Sequence, residues 1–522
     1  MRFTVVSFAL LSALVVAPLS SISATQQISH KSTPAQRKGD SSVESKNTET
    51  DLVQLLSDAR SAPAEFAADV LIKLVGSNRA SSPRLKEELL EEAFHLATGA
   101  QEPLPRVGVG PYPVDTRHGL LAEGFQLKLD TLSLQCRAVD ALIPINKLKA
   151  RELFAQIPKL SLGPLACGDG LVYDVSAFYN TLAKVATASF SSGENAREEH
   201  VRFVERYIGD LRSPVQVAPM AAMIRSLEVS PLQRSILADL LGAGLGKAPG
   251  DDRSFSAWLY HIAREVEALA AICDQENTSS TGLLRALRMF YVRQFSAVRC
   301  SDTIGEQMKN GQMPEEVNRF NRIVNSHNAR HSGGEIASIK LDEIKPSRIE
   351  GAVDVHSYWD SRDSKHLLLL LKELRFGPNS RAGSPRLTLT QRDTVEWKAR
   401  LQDFLQVFRR WCEDSEKSRE DFFHQKCIVY RSLLDLIPPG ADRDFVLIDF
   451  IGFINEFDLQ WGSRIVWFYD AKPLIKEMTI TPAHNSEFSH FTSLIKNSVL
   501  YLYIELERVL QGPVDASARS SS

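Results

Sequence analysis

The stretch from Ser254 to Asp274, SFSAWLYHIAREVEALAAICD, decides the fold class. Its apolar residues follow one another at spacings of 4, 4, 3 and 4 positions: Trp258, Ile262, Val266, Leu269 and Cys273. This spacing places them on one face of a helix with about 3.6 residues per turn. The stretch therefore predicts a helix that buries one apolar stripe.

Helical spacing of the same kind runs through most of the chain. Similar stripes recur at 121–139 and 397–408, the second just after a capping-box-like pair, Thr390 and Asp393. Alternation typical of strands is rare, and its best example is the short stretch 337–341. We therefore predict an all-α fold with little or no β-structure. The predicted helices cover 51–60, 63–76, 83–98, 115–143, 145–157, 174–190, 194–211, 215–228, 231–244, 254–274, 281–300, 314–326, 362–375, 389–411, 415–437, 441–458 and 484–511.

Short connections rich in proline and glycine separate many of these helices, as at 103–113, 242–250 and 438–440. Short connections favour antiparallel neighbours, so the helical hairpins could form either a multi-helix bundle or an irregular α-solenoid. We interpret Gly242–Gly246 as a helix stop followed by a linker. No repeat of fixed period is recognisable.

Composition divides the chain into six parts. The border between the two predicted helical domains is rich in glycine and proline, which is typical of an irregular crossing segment or linker. The parts are a signal peptide (1–24), a flexible polar leader (25–50), an N-terminal helical domain (51–300), the crossing segment (301–353), a C-terminal helical domain (354–511) and a disordered tail (512–522).

The first 24 residues predict export. Arg2 precedes an apolar run over 3–17, which is followed by Pro18 and a group of small residues ending at Ala24. This order is typical of a signal peptide cut near Ala24. No later segment approaches the roughly 20 apolar residues of a membrane span. We expect a free protein, secreted or periplasmic, with no membrane insertion after cleavage.

Charge and motifs exclude several classes of function. The net charge of −3 comes from 61 basic and 64 acidic side chains, so the basic surplus of a nucleic-acid-binding protein is missing. The sequence has no nucleophile elbow, phosphate-binding loop or dinucleotide fingerprint. We therefore predict neither a nucleic-acid partner nor a cofactor.

Export makes disulfide bonds among the six cysteines plausible. A Cys273–Cys300 bond is disfavoured, because these residues end consecutive antiparallel helices and would lie roughly 30 Å apart at 1.5 Å per residue. Bonded cysteines need Cα atoms within about 7 Å. Cys136–Cys167 is the one neighbouring pair that fits. The alternative is that the cysteines are buried free thiols.

A histidine pair suggests a possible metal site. His327 and His331 are four residues apart, a spacing that can bind zinc on a helix, and Glu335 follows. A metalloprotease helix has glutamate directly after its first histidine, where this chain has Asn328, and two glycines interrupt the pattern before Glu335. We favour a polar surface turn and predict no metal site.

Aromatic residues concentrate near the C-terminus. Eight of the 25 residues from Phe445 to Tyr469 are aromatic, whereas the chain average of 8% predicts about two. Rings interleaved with carboxylates are typical of a carbohydrate cleft. The alternative is core packing, because Phe450, Phe453 and Phe457 already form a helical stripe. The candidate ligand-binding residues are Asp449, Asp458, Trp461 and Trp467.

The sequence favours a binding or scaffold role over catalysis, with another exported protein or peptide as the partner. The alternative is a secreted all-α hydrolase that acts on glycans through the C-terminal carboxylates and aromatics. Glu456 and Asp458 are two residues apart and would point in different directions on a helix, which weakens this alternative. The sequence defines neither catalytic residues nor an oligomeric state.

Overall fold

The computed structural model describes residues 41–100, 127–160, 174–330, 335–350, 362–412 and 419–457 apart from a few single positions, together with residue 162 and isolated positions between 464 and 510. The chain divides into a unit of residues 1–49 and a unit of residues 50–522. Everything from the second helix onward belongs to the larger unit. None of the described helices is both long enough and apolar enough to cross a membrane.

The described part of the chain is all-α, as predicted. The first helix begins inside the segment predicted to be a polar leader. In chain order the helices are α1 (Ser41–Ser61), α2 (Ala64–Gly76), α3 (Pro83–Thr98), α4 (Thr131–Leu142), α5 (Lys147–Gln156), α6 (Val175–Ala188), α7 (Ser192–Ala196), α8 (Glu199–Ile208), α9 (Val217–Ser226), α10 (Pro231–Lys247), α11 (Ser254–Gln275), α12 (Thr281–Ser296), α13 (Thr303–Lys309), α14 (Glu315–Arg330), α15 (Arg362–Phe376), α16 (Leu389–Arg392), α17 (Val395–Arg410), α18 (Arg419–Leu436) and α19 (Ala441–Glu456).

Short elements of other kinds accompany the helices. Two 3₁₀ turns cover Pro214–Gln216 and Leu341–Glu343. The strands β1 (Val298–Cys300) and β2 (Arg348–Glu350) pair in parallel. The stretch 337–341, the best example of strand-like alternation in the sequence, forms no ladder with another described strand and ends in the second 3₁₀ turn.

Local sequence explains where several helices begin. At the start of α10, the Ser230 hydroxyl accepts a hydrogen bond from the Gln233 N–H, and the Gln233 side chain accepts one from the Ser230 N–H. This capping box satisfies two N–H groups that the helix leaves unpaired, and Pro231 fits the first helical position because it lacks an N–H.

The helices between α4 and α14 form two layers. Helices α4, α6, α9, α11 and α14 pack on one another in that order, and α8, α10 and α12 do the same in the second layer. Hairpins such as α9–α10 and α11–α12 join the layers. A succession in which each hairpin packs on its neighbours is typical of an irregular α-solenoid.

The predicted helix stop at Gly242–Gly246 is wrong, because α10 continues to Lys247. A Cβ atom on Gly242 would lie 3.3 Å from the Ala286 Cβ of α12, and one on Gly244 would lie 3.2 Å from the Leu211 Cβ. The missing side chains let α10 approach neighbours on two sides. This packing outweighs the low helix propensity of glycine.

The C-terminal helices form a second group, in which α15 packs on α17 and α18, and α18 packs on α19. Residues still nearer the C-terminus reach α2. The Tyr503 hydroxyl donates a 2.7 Å hydrogen bond to Asp69 Oδ2, and its ring meets the Phe66 ring edge to face. Asp69 also contacts Lys73 and Arg137. Burial opposes its charge, but these cations outweigh burial and lower its pKa.

Both alternatives predicted for the cysteines, disulfide bonds and buried free thiols, occur in the structure. Cys136, Cys273 and Cys427 are buried free thiols, and Cys412 is an exposed free thiol. Cys300 is in a disulfide bond. The Cys136–Cys167 pair is therefore wrong, because Cys136 is free; Cys167 lies outside the described residues.

Candidate peptide-binding groove

Two stripes run along α14. The first is apolar and packs into the core, with Val317, Phe320 and Val324 each 0% exposed. The second consists of four asparagines at spacings of 3, 4 and 3 positions: Asn318, Asn321, Asn325 and Asn328. The stripes are offset by one residue, which is about 100° around a helix. The amide side chains therefore line a face next to the buried one.

Two of these asparagines bind the main chain of a later segment. Asn328 donates to the Ile336 carbonyl oxygen at 2.8 Å and accepts from the Ile336 N–H at 3.0 Å. Asn321 makes the same pair of bonds with Ile339, at 2.9 and 2.7 Å. A side-chain amide has one donor end and one acceptor end, which match the two main-chain groups of a single residue.

The spacing of these contacts shows how the segment lies. Asn321 and Asn328 are seven residues apart, or about 10.5 Å along a helix. Ile336 and Ile339 are three residues apart, and three residues span at most about 11 Å when fully extended. The segment 336–339 is therefore nearly extended. It runs antiparallel to α14, since the earlier isoleucine pairs with the later asparagine.

Helix α12 holds the same segment from the other side. The Arg288 guanidinium donates to the Ala337 carbonyl oxygen at 2.7 Å and to Glu343 Oε2 at 2.6 Å. The Ser338 hydroxyl donates to Asn325 Oδ1 at 3.2 Å. The segment thus lies in a groove between α12 and α14, which we call the α12–α14 groove.

The first and last side chains of the segment are buried, and the two between them are not. Ile336 is 3% exposed and Ile339 is 2% exposed, and both join the hydrophobic core. Ala337 between them is exposed and Ser338 is half-buried. The occupant is thus held by two apolar anchors and by hydrogen bonds to its main chain.

A buried carboxyl group of α11 pairs with a partly exposed arginine of α14. Glu267 of α11 is 4% exposed, and its Oε2 lies 2.5 Å from Arg319 Nε of α14. Burial raises the pKa of Glu267 to about 7, and the Arg319 charge opposes this shift without cancelling it. The junction of α11 and α14 therefore contains a carboxyl group that titrates near neutral pH.

The side chain of His327, near the end of α14, contacts residues at the α11–α12 turn. Its Nδ1 lies 3.3 Å from Asp274 Oδ2 and 3.3 Å from Ser280 Oγ, and its Nε2 lies 3.0 Å from Thr281 Oγ1. The side chain is buried, so the predicted surface turn is wrong for this residue. Glu335 is exposed and His331 lies outside the described residues. No three metal-binding side chains meet among the residues that the structure describes.

Two of the four C-terminal candidates, Asp449 and Trp467, contact other protein side chains. Asp449 Oδ2 accepts a hydrogen bond from Arg409 at 3.0 Å. Trp467 is 4% exposed, and its indole N–H donates to His424 Nδ1 at 3.0 Å. Neither face of a buried ring is open to a sugar. Asp458 and Trp461 lie outside the described residues, and the assignment of all four as ligand-binding residues stays a prediction.

The groove was not predicted from the sequence. Its signal is the asparagine stripe of α14, four residues of one polar type at helical spacing. The segment that occupies the groove was singled out only as a short alternating stretch. Arg288 gives no signal of its own.

Comparison with known proteins assigns no family, since no family model, curated protein or solved structure matches the chain.

Proposed function

We propose that the protein is a helical scaffold that binds extended polypeptide segments in the α12–α14 groove. One observation supports this most directly: Asn321 and Asn328 each bind both main-chain groups of one residue, at the spacing of an extended chain. All polypeptides share these main-chain groups. Such a groove therefore suits a partner protein or peptide better than a sugar or a nucleic acid.

In this proposal the segment 336–339 is an internal competitor. It is part of the chain, so its effective concentration at the groove is of the order of millimolar. The apparent affinity for a separate peptide equals the intrinsic affinity multiplied by the fraction of molecules in which the groove is open. A partner must displace the segment, and weakening the segment should strengthen binding of the partner.

We also propose that the scaffold is exported after cleavage near Ala24. The disulfide bond at Cys300 supports an oxidising compartment. Intact mass of the protein from the exported fraction tests this directly. A mature chain that begins at Thr25 is expected, and a chain that retains residues 1–24 would contradict it.

A labelled peptide with the sequence of residues 333–345 tests the binding function. The protein partner is the full chain with Ile336→Ala and Ile339→Ala, which removes both anchors of the internal competitor. We expect fluorescence anisotropy to show saturable binding, at least about tenfold tighter than to the unmodified chain.

The asparagines provide the matched control. We call the chain with Ile336→Ala and Ile339→Ala the loosened chain. Adding Asn321→Ala and Asn328→Ala to it should weaken peptide binding by at least about tenfold, because the main-chain groups of the peptide lose their partners. Adding Asn318→Ala should leave binding unchanged, since Asn318 lies on the same stripe but, within the part of the chain that the structure describes, its hydrogen bonds go to the Met313 carbonyl oxygen, at 3.5 Å, and to the Glu315 side chain. Equal binding by both variants would contradict the proposal.

A further inference from the structure

We infer that the α12–α14 groove selects extended segments with two large apolar residues three positions apart, neither of them proline, and an acidic residue four positions after the second. This inference rests on the proposed function and names its class of partner. The seated segment supplies the template: Ile336 and Ile339 are the anchors, and Glu343 is the acidic residue.

The anchors define the apolar part of the pattern. Both isoleucines are buried, whereas Ala337 between them is exposed. Their spacing follows from the helix beneath: one heptad of α14, from Asn321 to Asn328, matches three residues of extended chain. Anchors two or four positions apart would place at most one N–H and C=O pair opposite an asparagine.

The asparagines exclude proline at both anchors. Each asparagine Oδ1 accepts a hydrogen bond from an anchor N–H, at 3.0 Å for Ile336 and 2.7 Å for Ile339. Proline has no N–H to donate. The N–H groups of Ala337 and Ser338 make no hydrogen bond within the part of the chain that the structure describes. The requirement for an N–H group therefore applies to the two anchors and not to the two positions between them.

Arg288 defines the acidic part. Its side chain is only 16% exposed, and its guanidinium contacts both the Ala337 carbonyl oxygen and Glu343 Oε2. The other oxygen of Glu343 accepts a 2.9 Å hydrogen bond from the Lys340 N–H, which closes a turn after the second anchor. Arginine paired with a carboxylate gives a stronger, more directional bond than a neutral pair. A partner with a carboxylate at this position can repeat both contacts.

A set of modified peptides tests the pattern on the loosened chain with Ile336→Ala and Ile339→Ala. The parent peptide has the sequence of residues 333–345. N-methylation at the position of Ile336 or Ile339 removes one N–H and should weaken binding at least about tenfold, because an asparagine oxygen is left unpaired. N-methylation at the position of Ser338 should change affinity less than about threefold. Replacing the peptide glutamate at the position of Glu343 by glutamine should weaken binding by about threefold to tenfold.

The outcomes separate the two proposals. If the peptides bind with equal affinity whatever their N-methylation or charge, the selection pattern is wrong and the binding function stands. If no peptide binds a loosened chain that circular dichroism shows to be folded, both are wrong.

A measurement on the unmodified chain applies if the loosened chain fails to fold. Excess parent peptide should displace the internal segment and speed hydrogen exchange at the Ile336 and Ile339 amides by at least about threefold. Peptide N-methylated at an anchor should not. Equal exchange with the two peptides would overturn the selection pattern.

Discussion

The α12–α14 groove and the aromatic cluster of the C-terminal helices differ in what their side chains contact. The cluster comprises Phe423, Tyr430, Phe450, Phe453 and Trp467, whose rings meet one another at distances such as 5.2 Å between the Tyr430 and Phe450 centroids. In the groove, polar side chains contact the main chain of a separate segment. In the cluster, side chains pack on other side chains, whereas the groove is built around a segment of main chain.

This difference predicts different consequences when a side chain of either region is removed. The aromatic cluster stabilises the fold mainly through the apolar area that it buries, so removing one of its rings should lower the free energy of unfolding of the whole fold. The groove makes directional hydrogen bonds to one segment of four residues. Removing one of these bonds should therefore open the segment locally and leave the rest of the fold unchanged. Four substitutions, taken from the largest expected effect to the smallest, can break or sharpen this contrast.

The largest effect is expected from Phe450→Ala in the aromatic cluster. Phe450 is 0% exposed and contacts both Tyr430 and Trp467. Removing its ring should lower the free energy of unfolding by about 3–5 kcal/mol, measured by urea titration. The matched control is Phe445→Ala on the same helix, because Phe445 is 46% exposed. A loss below about 1 kcal/mol for Phe450→Ala would show that these rings are not a core.

The contrast also explains what the sequence could reveal. Apolar spacing is a local property, so helices were predictable: the expected helix over 83–98 coincides with Pro83–Thr98. Local signals failed where packing decides, as at Gly242 and Gly244 inside α10. Aromatic abundance indicated a possible ligand site, yet Trp467 packs in the core.

The groove could not be predicted from the sequence, because its residues are far apart along the chain and come together only in the folded structure. Arg288 and Glu343 are 55 residues apart, and no local pattern relates them. The stretch 337–341 alternates as a strand does, but the main-chain groups of Ile339 pair with the side chain of Asn321 on a helix and not with another strand. The asparagine stripe alone was visible in the sequence, and it shows a polar helix face without showing what binds there.

A pH-dependent effect is expected from Glu267→Gln beneath α14. The ordinary pKa is 4.5 and the folded value is raised to about 7, so the folded state favours the protonated carboxyl. The resulting contribution is fully present below pH 4.5 and is lost as the pH rises through 7, by up to about 3 kcal/mol at 1.36 kcal/mol per pKa unit. Glutamine has no such titration. The variant should therefore gain stability relative to the unmodified chain between pH 5 and pH 8.

Urea titration at these two pH values measures the gain. Glu315→Gln on the surface of α14 is the control, since Glu315 is exposed and its pKa is lowered by Arg322. Parallel stability profiles for Glu267→Gln and the unmodified chain would refute the buried titration. A gain confined to Glu267→Gln would show that burying the charged carboxylate lowers the stability of the junction between α11 and α14 as the pH rises.

A smaller, local effect is expected from Asn321→Ala. The substitution leaves the N–H and C=O of Ile339 without their partners, at a cost of about 1–3 kcal/mol. Most of this cost should appear as local opening, with hydrogen exchange at the Ile339 amide faster by about tenfold or more and little change at the aromatic cluster. Asn318→Ala should leave this exchange rate unchanged. Faster exchange throughout the chain would mean that the groove and the core unfold together.

The smallest effect is expected from Asp449→Ala. Asp449 and Arg409 are 32% and 46% exposed, and an ion pair this open to solvent contributes at most about 1 kcal/mol. Arg409 keeps its position over the Phe445 ring, with 5.0 Å from the guanidinium carbon to the ring centroid, so the variant removes a charge without opening the core. If Asp449 binds glycans, adding a glycan should raise the melting temperature of the unmodified chain and leave the variant unchanged. Equal melting with and without glycan in both proteins is the outcome expected if Asp449 and Arg409 form only a surface ion pair and bind no glycan.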